Sequence, residues 1–198
     1  MDEGMLVLDT RSPEAIAGAF IQGSLAIPLD MIPAFAGWFI SHDSNIGLVV
    51  NSYEDVELGA RYLLRLGYDR IIGFLEDGLT AWEISGRQYK RIPAVHAEEL
   101  VKRLQDDVEF TLLDVRKKEE FESGHLPGAV HIYVGELSEN LDKIPTARPI
   151  TTFCGSGKRA IIAASVLKKH GFDRVEDSLG SMAACSAIGC PILTEEGK

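Results

Sequence analysis

The first 153 residues contain no cysteine, and the 198-residue chain has only three: Cys154, Cys185 and Cys190. An odd number gathered near one end does not make the disulfide framework of a small secreted domain, so a reducing cytoplasm is the expected setting. No apolar run is long enough to cross a bilayer. The amino terminus, Met1-Asp2-Glu3-Gly4, carries neither the basic stretch nor the apolar core of a secretory leader. A membrane is therefore not an expected partner. Positive charge is scarce too: the net charge is −10, with acids spread along the chain. Nucleic acid is not expected either, because neutralising phosphates needs a basic face. What remains is ordinary globular composition, 45 % apolar and 25 % charged, enough for one large core or two small ones.

Against this background one segment stands out, Phe153-Cys154-Gly155-Ser156-Gly157-Lys158-Arg159. A strand-like run, Ile150-Thr151-Thr152-Phe153, delivers a thiol to a loop of small residues, and a helix-forming stretch from Arg159 to His170 follows at once. Gly155, Ser156 and Gly157 let backbone N–H groups turn toward the sulfur. The helix N-terminus adds partial positive charge at the same place, and Lys158 and Arg159 add two formal charges. All three effects favour thiolate over thiol, so Cys154 reads as a nucleophile of depressed pKa. The competing reading is a buried structural cysteine.

The chain also repeats itself. Leu8-Asp9-Thr10-Arg11 aligns with Leu113-Asp114-Val115-Arg116, Gly67-Tyr68-Asp69-Arg70 with Gly171-Phe172-Asp173-Arg174, and Gly78–Gly86 with Ser181–Gly189. The offsets are nearly constant and in one order, which implies a tandem duplication. The expected domains are residues 1–90 and 94–198, joined by a connector at Lys90-Arg91-Ile92-Pro93. Leu6–Leu8, Ile46–Val50 and Ile71–Phe74 read as buried strands, with Leu112–Asp114, Ile150–Phe153 and Val175–Glu176 as counterparts. Val56–Leu66 and Ala160–Lys169 carry helical spacing and run up to Gly67 and Gly171. This alternation predicts an α/β fold, each domain a mainly parallel sheet with helices on both faces. Ligands of such sheets bind beyond the carboxyl ends of the strands, where Cys154 lies.

The second unit resembles a rhodanese domain along its whole length. The resemblance rests on Leu113-Asp114-Val115-Arg116, on Glu120-Phe121-Glu122-Ser123-Gly124-His125-Leu126-Pro127-Gly128-Ala129, and on the Cys154–Arg159 loop. The first unit is similar to a degenerate copy, keeping Asp9-Thr10-Arg11 and Gly78-Leu79-Thr80-Ala81-Trp82. The pair resembles the rhodanese half of fusions with a metallo-β-lactamase-like persulfide dioxygenase. The five histidines include no H-x-H-x-D-H metal motif, so that half is not in this chain. With the abrupt start of the first unit, this points to a piece of a longer protein.

The resemblance implies a sulfurtransferase. Cys154 would take sulfane sulfur from thiosulfate or a small persulfide, hold it as a persulfide, and pass it to a thiol or cyanide. Gly155, Ser156, Gly157, Lys158 and Arg159 would bind the anionic donor. No cofactor and no metal are implied. Related phosphatases have one more residue between Cys and Arg; the four residues between Cys154 and Arg159 make the smaller, sulfur-sized loop. The other reading is a non-catalytic docking pair that serves a dioxygenase or another partner. In the first unit Val50 stands at the cysteine position, with Glu54 and Asp55 at the helix start, so that unit is expected to be non-catalytic.

Asp114 and Arg116 are expected to form a structural ion pair, and His125 to be a hydrogen-bonded turn residue. Lys117-Lys118-Glu119-Glu120 reads as a solvated helix face, and Trp38-Phe39 as core or interface packing. Cys185 stands where the first unit has Trp82 and where rhodaneses usually carry tryptophan. Cys185 reads as core filler and Cys190 as an incidental turn thiol, the alternative being that they resolve the persulfide on Cys154.

Overall fold

Apolar runs buried on both faces need neighbours on both sides, and the chain supplies them in parallel. The computed structural model describes residues 4–75 and 77–194; residues 1–3 and 195–198, the outer ends of both expected domains, lie outside them. The chain divides into two compact units, Met1–Arg91 and Ile92–Lys198, and the division falls inside the expected connector.

The first unit runs β1 (Met5–Asp9), α1 (Pro13–Gly18), β2 (Leu25–Ala26), α2 (Ile32–Phe39), β3 (Asn45–Val49), α3 (Tyr53–Arg65), β4 (Ile71–Leu75) and α4 (Thr80–Ile84). Its strands form one parallel sheet in the order β2-β1-β3-β4. Helix α3 begins three residues earlier than its apolar spacing suggests, because the Ser52 hydroxyl accepts from the Asp55 N–H at 3.3 Å and caps it. Glu54 and Asp55 then sit in its first turn, where acid suits the helix dipole. Trp38 is not core: it lies on the outer side of α2 and is 52 % exposed, while Ile32, Phe35 and Ala36 supply the buried stripe.

The second unit runs β5 (Ala94–Val95), α5 (Ala97–Gln105), β6 (Thr111–Asp114), α6 (Lys118–Glu122), β7 (Val130–His131), β8 (Ile150–Phe153), α7 (Lys158–Lys169), β9 (Val175–Ser178) and α8 (Ser181–Ile188). All neighbours pair in parallel, in the order β5-β9-β8-β6-β7. Read from β7, this is the order of the first sheet with one edge strand added. Strands β6 and β8 are buried at every position, and α7 is buried from Ala160 to Leu167, as expected of a sheet flanked by helices. The chain leaves β6 toward β7 on one side and pairs it with β8 on the other. The carboxyl ends of β6 and β8 therefore flank the crevice where the strand order reverses.

Helix α8 corrects the reading of the late cysteines. Gly189 ends it in the left-handed conformation, φ 73°, and turns the chain back so that the Cys190 N–H donates to the Cys185 carbonyl at 3.0 Å. The two Cα atoms come within 5.0 Å, and Cys185 and Cys190 are joined as a disulfide. Cys190 is thus not an incidental thiol, and Cys154 is the free cysteine. The pair lies in a core with Leu100, Leu112, Leu126 and Phe153. This pairing removes the basis for inferring a reducing compartment from the cysteine count; among the described residues, no helix is long and apolar enough to cross a membrane. Alkylation of the unfolded, unreduced protein is expected to modify one cysteine and, after reduction, all three, as read by intact mass. Three modifications without reduction would show the pair to be open.

Candidate active site

Strand β8 ends at Phe153, which pairs with Asp114 of β6, and the Val115 N–H donates to the Phe153 carbonyl at 2.8 Å. Cys154 follows directly. Its Sγ accepts a hydrogen bond from the Gly157 N–H at 3.1 Å. Gly157 is the N-cap of α7, so the sulfur stands at a helix N-terminus with a backbone donor aimed at it. Both features direct partial positive charge at the sulfur. Gly157 holds φ 97°, and a Cβ there would meet the Gly180 nitrogen at 3.3 Å. Glycine is needed both for that conformation and for that approach.

The rest of the loop is held from α8. The Met182 N–H donates to the Cys154 carbonyl at 3.0 Å, and the Ala183 N–H to the Gly155 carbonyl at 2.9 Å. Cys154's own N–H does not face the sulfur: it donates to the Ser181 hydroxyl at 3.1 Å. Cys154 has no exposed surface, whereas Ser156 is the exposed residue of the loop. The loop backbone is thus held by bonds from α8, and the sulfur by the Gly157 turn.

Arg159 corrects the expected charge of the site. Its guanidinium forms a two-pronged ion pair with Glu120, at 2.6 and 2.7 Å. Glu120 is therefore not part of a solvated face. From α6 it reaches across the fold to α7, and it also accepts from the Lys117 N–H at 3.2 Å. The Arg159 hydrogen bonds and the Lys117 N–H hold the Glu120 carboxyl below the usual carboxylate range, against the opposing effect of burial. Arg159 is kept charged first by Glu120 and also feels Cys154. It lies over Gly155, where a Cβ would stand 3.1 Å from Nη2. Lys158, half-buried, opens α7. Two cations are thus present at the loop as expected, but one is largely balanced by a carboxylate that sequence reasoning missed.

Asp114 and Arg116 sit at the carboxyl end of β6 as a buried pair. The guanidinium bonds both carboxylate oxygens at 2.6 and 3.0 Å and donates to the Gly124 carbonyl at 2.8 Å. The first unit has the same arrangement in Asp9 and Arg11, with the Ala19 carbonyl as third partner at 2.6 Å. The pair ties the strand end to the following turn and contributes no group to Cys154. His125 Nδ1 lies 3.0 Å from the Phe121 carbonyl, and its ring stacks on Phe121. Elsewhere in the second unit, Lys117, Lys118, Glu119, His131, Tyr133 and Glu136 are among the residues that line an open cavity of about 450 Å³. Burial pushes the Tyr133 phenol up, with the charge of Arg159 opposing this and those of Glu120 and Glu136 adding to it. Ser181 and Tyr133 had no sequence signal, since each depends on a contact between distant segments.

The Glu120 carboxyl is lowered in the folded state, so its pairing stabilises the fold above the ordinary carboxylate range and is lost as pH falls through the lowered value. Between about pH 7 and about pH 3, Tm is expected to fall a few degrees less in Glu120→Gln than in wild type. Parallel Tm–pH curves would contradict the pairing.

The sequence profile of the rhodanese-like domain family matches residues 96–187, within the second unit. A sulfurtransferase of Allochromatium vinosum is 30 % identical over 103 residues, which cover 52 % of this chain and 96 % of that protein. The putative sulfur carrier protein YrkF of Bacillus subtilis is 36 % identical over 93 residues, 47 % of this chain and 50 % of that protein, so the match spans half the length of this relative. The thiosulfate sulfurtransferase GlpE of Coxiella burnetii is 28 % identical over 99 residues, 50 % of this chain and 89 % of that protein. Through its second unit, the chain belongs to the rhodanese-like family.

Proposed function

We propose that the second unit is a sulfurtransferase that carries sulfane sulfur as a persulfide on Cys154. One observation carries this reading: the only free thiol stands at the carboxyl end of β8, at the N-terminus of α7, with the Gly157 N–H 3.1 Å from Sγ. The thiolate attacks the outer sulfur of thiosulfate, the Cys154 S–S bond forms, the S–S bond of the donor breaks, and sulfite leaves with the electron pair. Charge balances: a thiolate and a dianion become a persulfide anion and sulfite. An acceptor thiolate or cyanide then attacks the outer sulfur and releases the Cys154 thiolate. The Gly155, Ser156 and Gly157 backbone, Lys158 and Arg159 hold the anionic donor, while Asp114 and Arg116 support the strand end. Relatives named as sulfurtransferase and thiosulfate sulfurtransferase support this reading. No cofactor takes part.

The first unit is, in this reading, a tandem copy without chemistry. Val50 replaces the nucleophile and Glu54 and Asp55 repel an anion. A second reading, that the pair of units is a docking module, is favoured by the complete burial of Cys154 and by the balancing of Arg159 by Glu120.

Intact mass after incubation with thiosulfate or glutathione persulfide separates the two. Wild type is expected to gain one sulfur, lost again on treatment with cyanide, and Cys154→Ser none. No adduct from either donor would favour the docking module. Donor choice tests the charge at the loop. Arg159→Ala is expected to reduce turnover with thiosulfate about tenfold more than turnover with a neutral organic trisulfide, and Glu120→Gln, which uncovers the Arg159 charge, to shift the ratio the other way. Equal losses with both donors would remove Arg159 from donor selection.

A further inference from the structure

The two units differ at one point behind the nucleophile. In the first, Val50 extends the sheet beyond β3: its N–H donates directly to the Leu75 carbonyl of β4 at 3.1 Å. In the second, Cys154 holds the place of Val50, and the register that sets Gly78 on Ser181 sets Leu75 on Ser178. Cys154 makes no such direct bond. The Ser181 hydroxyl stands between the two strand ends, accepting from the Cys154 N–H at 3.1 Å and donating to the Ser178 carbonyl at 2.7 Å. The next contact shifts with it. In the first unit the Gly78 N–H itself donates to the Val50 carbonyl at 2.8 Å, whereas in the second the donor to the Cys154 carbonyl is one residue later, Met182, at 3.0 Å.

The residue that makes this bridge is in an unfavourable backbone conformation. Ser181 holds φ 44°, and its counterpart Gly78 holds φ 64°. Glycine adopts this region freely, and a residue with a Cβ is strained there unless its surroundings fix it. Ser181 is fully buried, and both of its hydroxyl bonds go to backbone groups of the two strand ends. Its hydroxyl is what glycine would lack.

We propose that Ser181 is a positioning residue: its hydroxyl is a spacer that prevents the end of β8 from closing onto β9, and it thereby sets the place of the Cys154 sulfur at the N-terminus of α7. This rests on the sulfurtransferase reading of Cys154. The amide of Cys154 is held by the Ser181 side chain, and the carbonyls of Cys154 and Gly155 by the next two N–H groups of the same turn. Removing the hydroxyl frees the Cys154 N–H to reach the Ser178 carbonyl, as Val50 reaches Leu75. The sulfur then moves with its backbone, away from a donor whose hydrogen bond depends on distance and angle.

The test compares Ser181→Gly and Ser181→Ala, because both lose the hydroxyl but only alanine keeps the strain. Ser181→Gly is expected to have a Tm at or above that of wild type. Its crystal structure is expected to show the Cys154 N–H donating straight to the Ser178 carbonyl at about 3 Å. With thiosulfate as donor and cyanide as acceptor, kcat is expected to fall at least about tenfold, with KM for thiosulfate within about twofold. Ser181→Ala is expected to show the same kcat loss at a lower Tm. A Ser181→Gly enzyme of wild-type kcat, a loss that tracks Tm across the two variants, or a gap that stays open in the crystal structure would each overturn the proposal. If wild type takes up no sulfur at all, the sulfurtransferase reading falls. The crystal structure then still decides the spacer: closure of the gap upholds it and persistence of the gap refutes it.

Discussion

Strand β8 is paired in parallel on both sides, and the properties of the site follow from where that pairing stops. Its partners β6 and β9 hold it at every residue from Ile150 to Thr152, and β6 holds it through Phe153. Beyond Phe153 the chain leaves the ladder, and its backbone groups need other partners if they are to stay buried. They find them on α8, which receives the Cys154 amide and both loop carbonyls, and at Gly157, whose N–H turns to the sulfur. The loop is thus fixed by satisfied backbone groups. That is why a sequence of small residues yields a buried, ordered sulfur in place of a mobile exposed one.

Charge around the sulfur is balanced more closely than a count of cations suggests. Arg159 shares the turn after Cys154, but Glu120, nearly forty positions earlier, takes both prongs of its guanidinium. A partly exposed, well-formed pair of this kind orients the guanidinium more than it stabilises the fold. The arginine is held against Gly155, and its electrostatic pull on an anion is moderated by the carboxylate behind it. In the proposed transfer this balance suits a group that must release its product as readily as it binds its donor.

The two units show how one strand order accommodates different ends. Each has a buried Asp–Arg pair at the end of an inner strand, β1 in one and β6 in the other, each bonded to a carbonyl just past the short helix that follows. Each also has a helix after the strand aligned with β8. The differences lie in the residues that meet the helix N-terminus: Ser52 with two acids in one, Gly157 with two cations in the other. The first arrangement satisfies its helix dipole from within, and the second leaves it directed at the sulfur. Edge elements differ too, since β5 and α5 have no counterpart among the described residues of the first unit.

Much of this was legible in the residues alone. Strands β1, β3 and β6 announce themselves as apolar runs, α3 and α7 by their spacing, and Gly67 and Gly171 mark the helix ends with φ near 88° and 85°. Strand β4, an apolar run expected to be buried, is instead the edge strand of its sheet and is exposed at Ile72, Gly73 and Phe74. The loop from Cys154 to Arg159 reads as a thiol at a helix start because glycines, cations and the helix pattern are contiguous in the chain. The two-residue strands β2, β5 and β7 are too short to have a period, and the small helices α1, α4 and α6 too short to show a face. Local sequence therefore determined the strand–helix alternation, the place of the nucleophile and the buried arginines beside their aspartates, because each depends on neighbours a few residues apart. The tertiary structure alone decided that Glu120 balances Arg159, that Ser181 holds the Cys154 amide, and that Cys185 meets Cys190 inside the core. The first two join segments far apart in the chain, and the third depends on a left-handed turn and on core packing that spacing alone does not reveal.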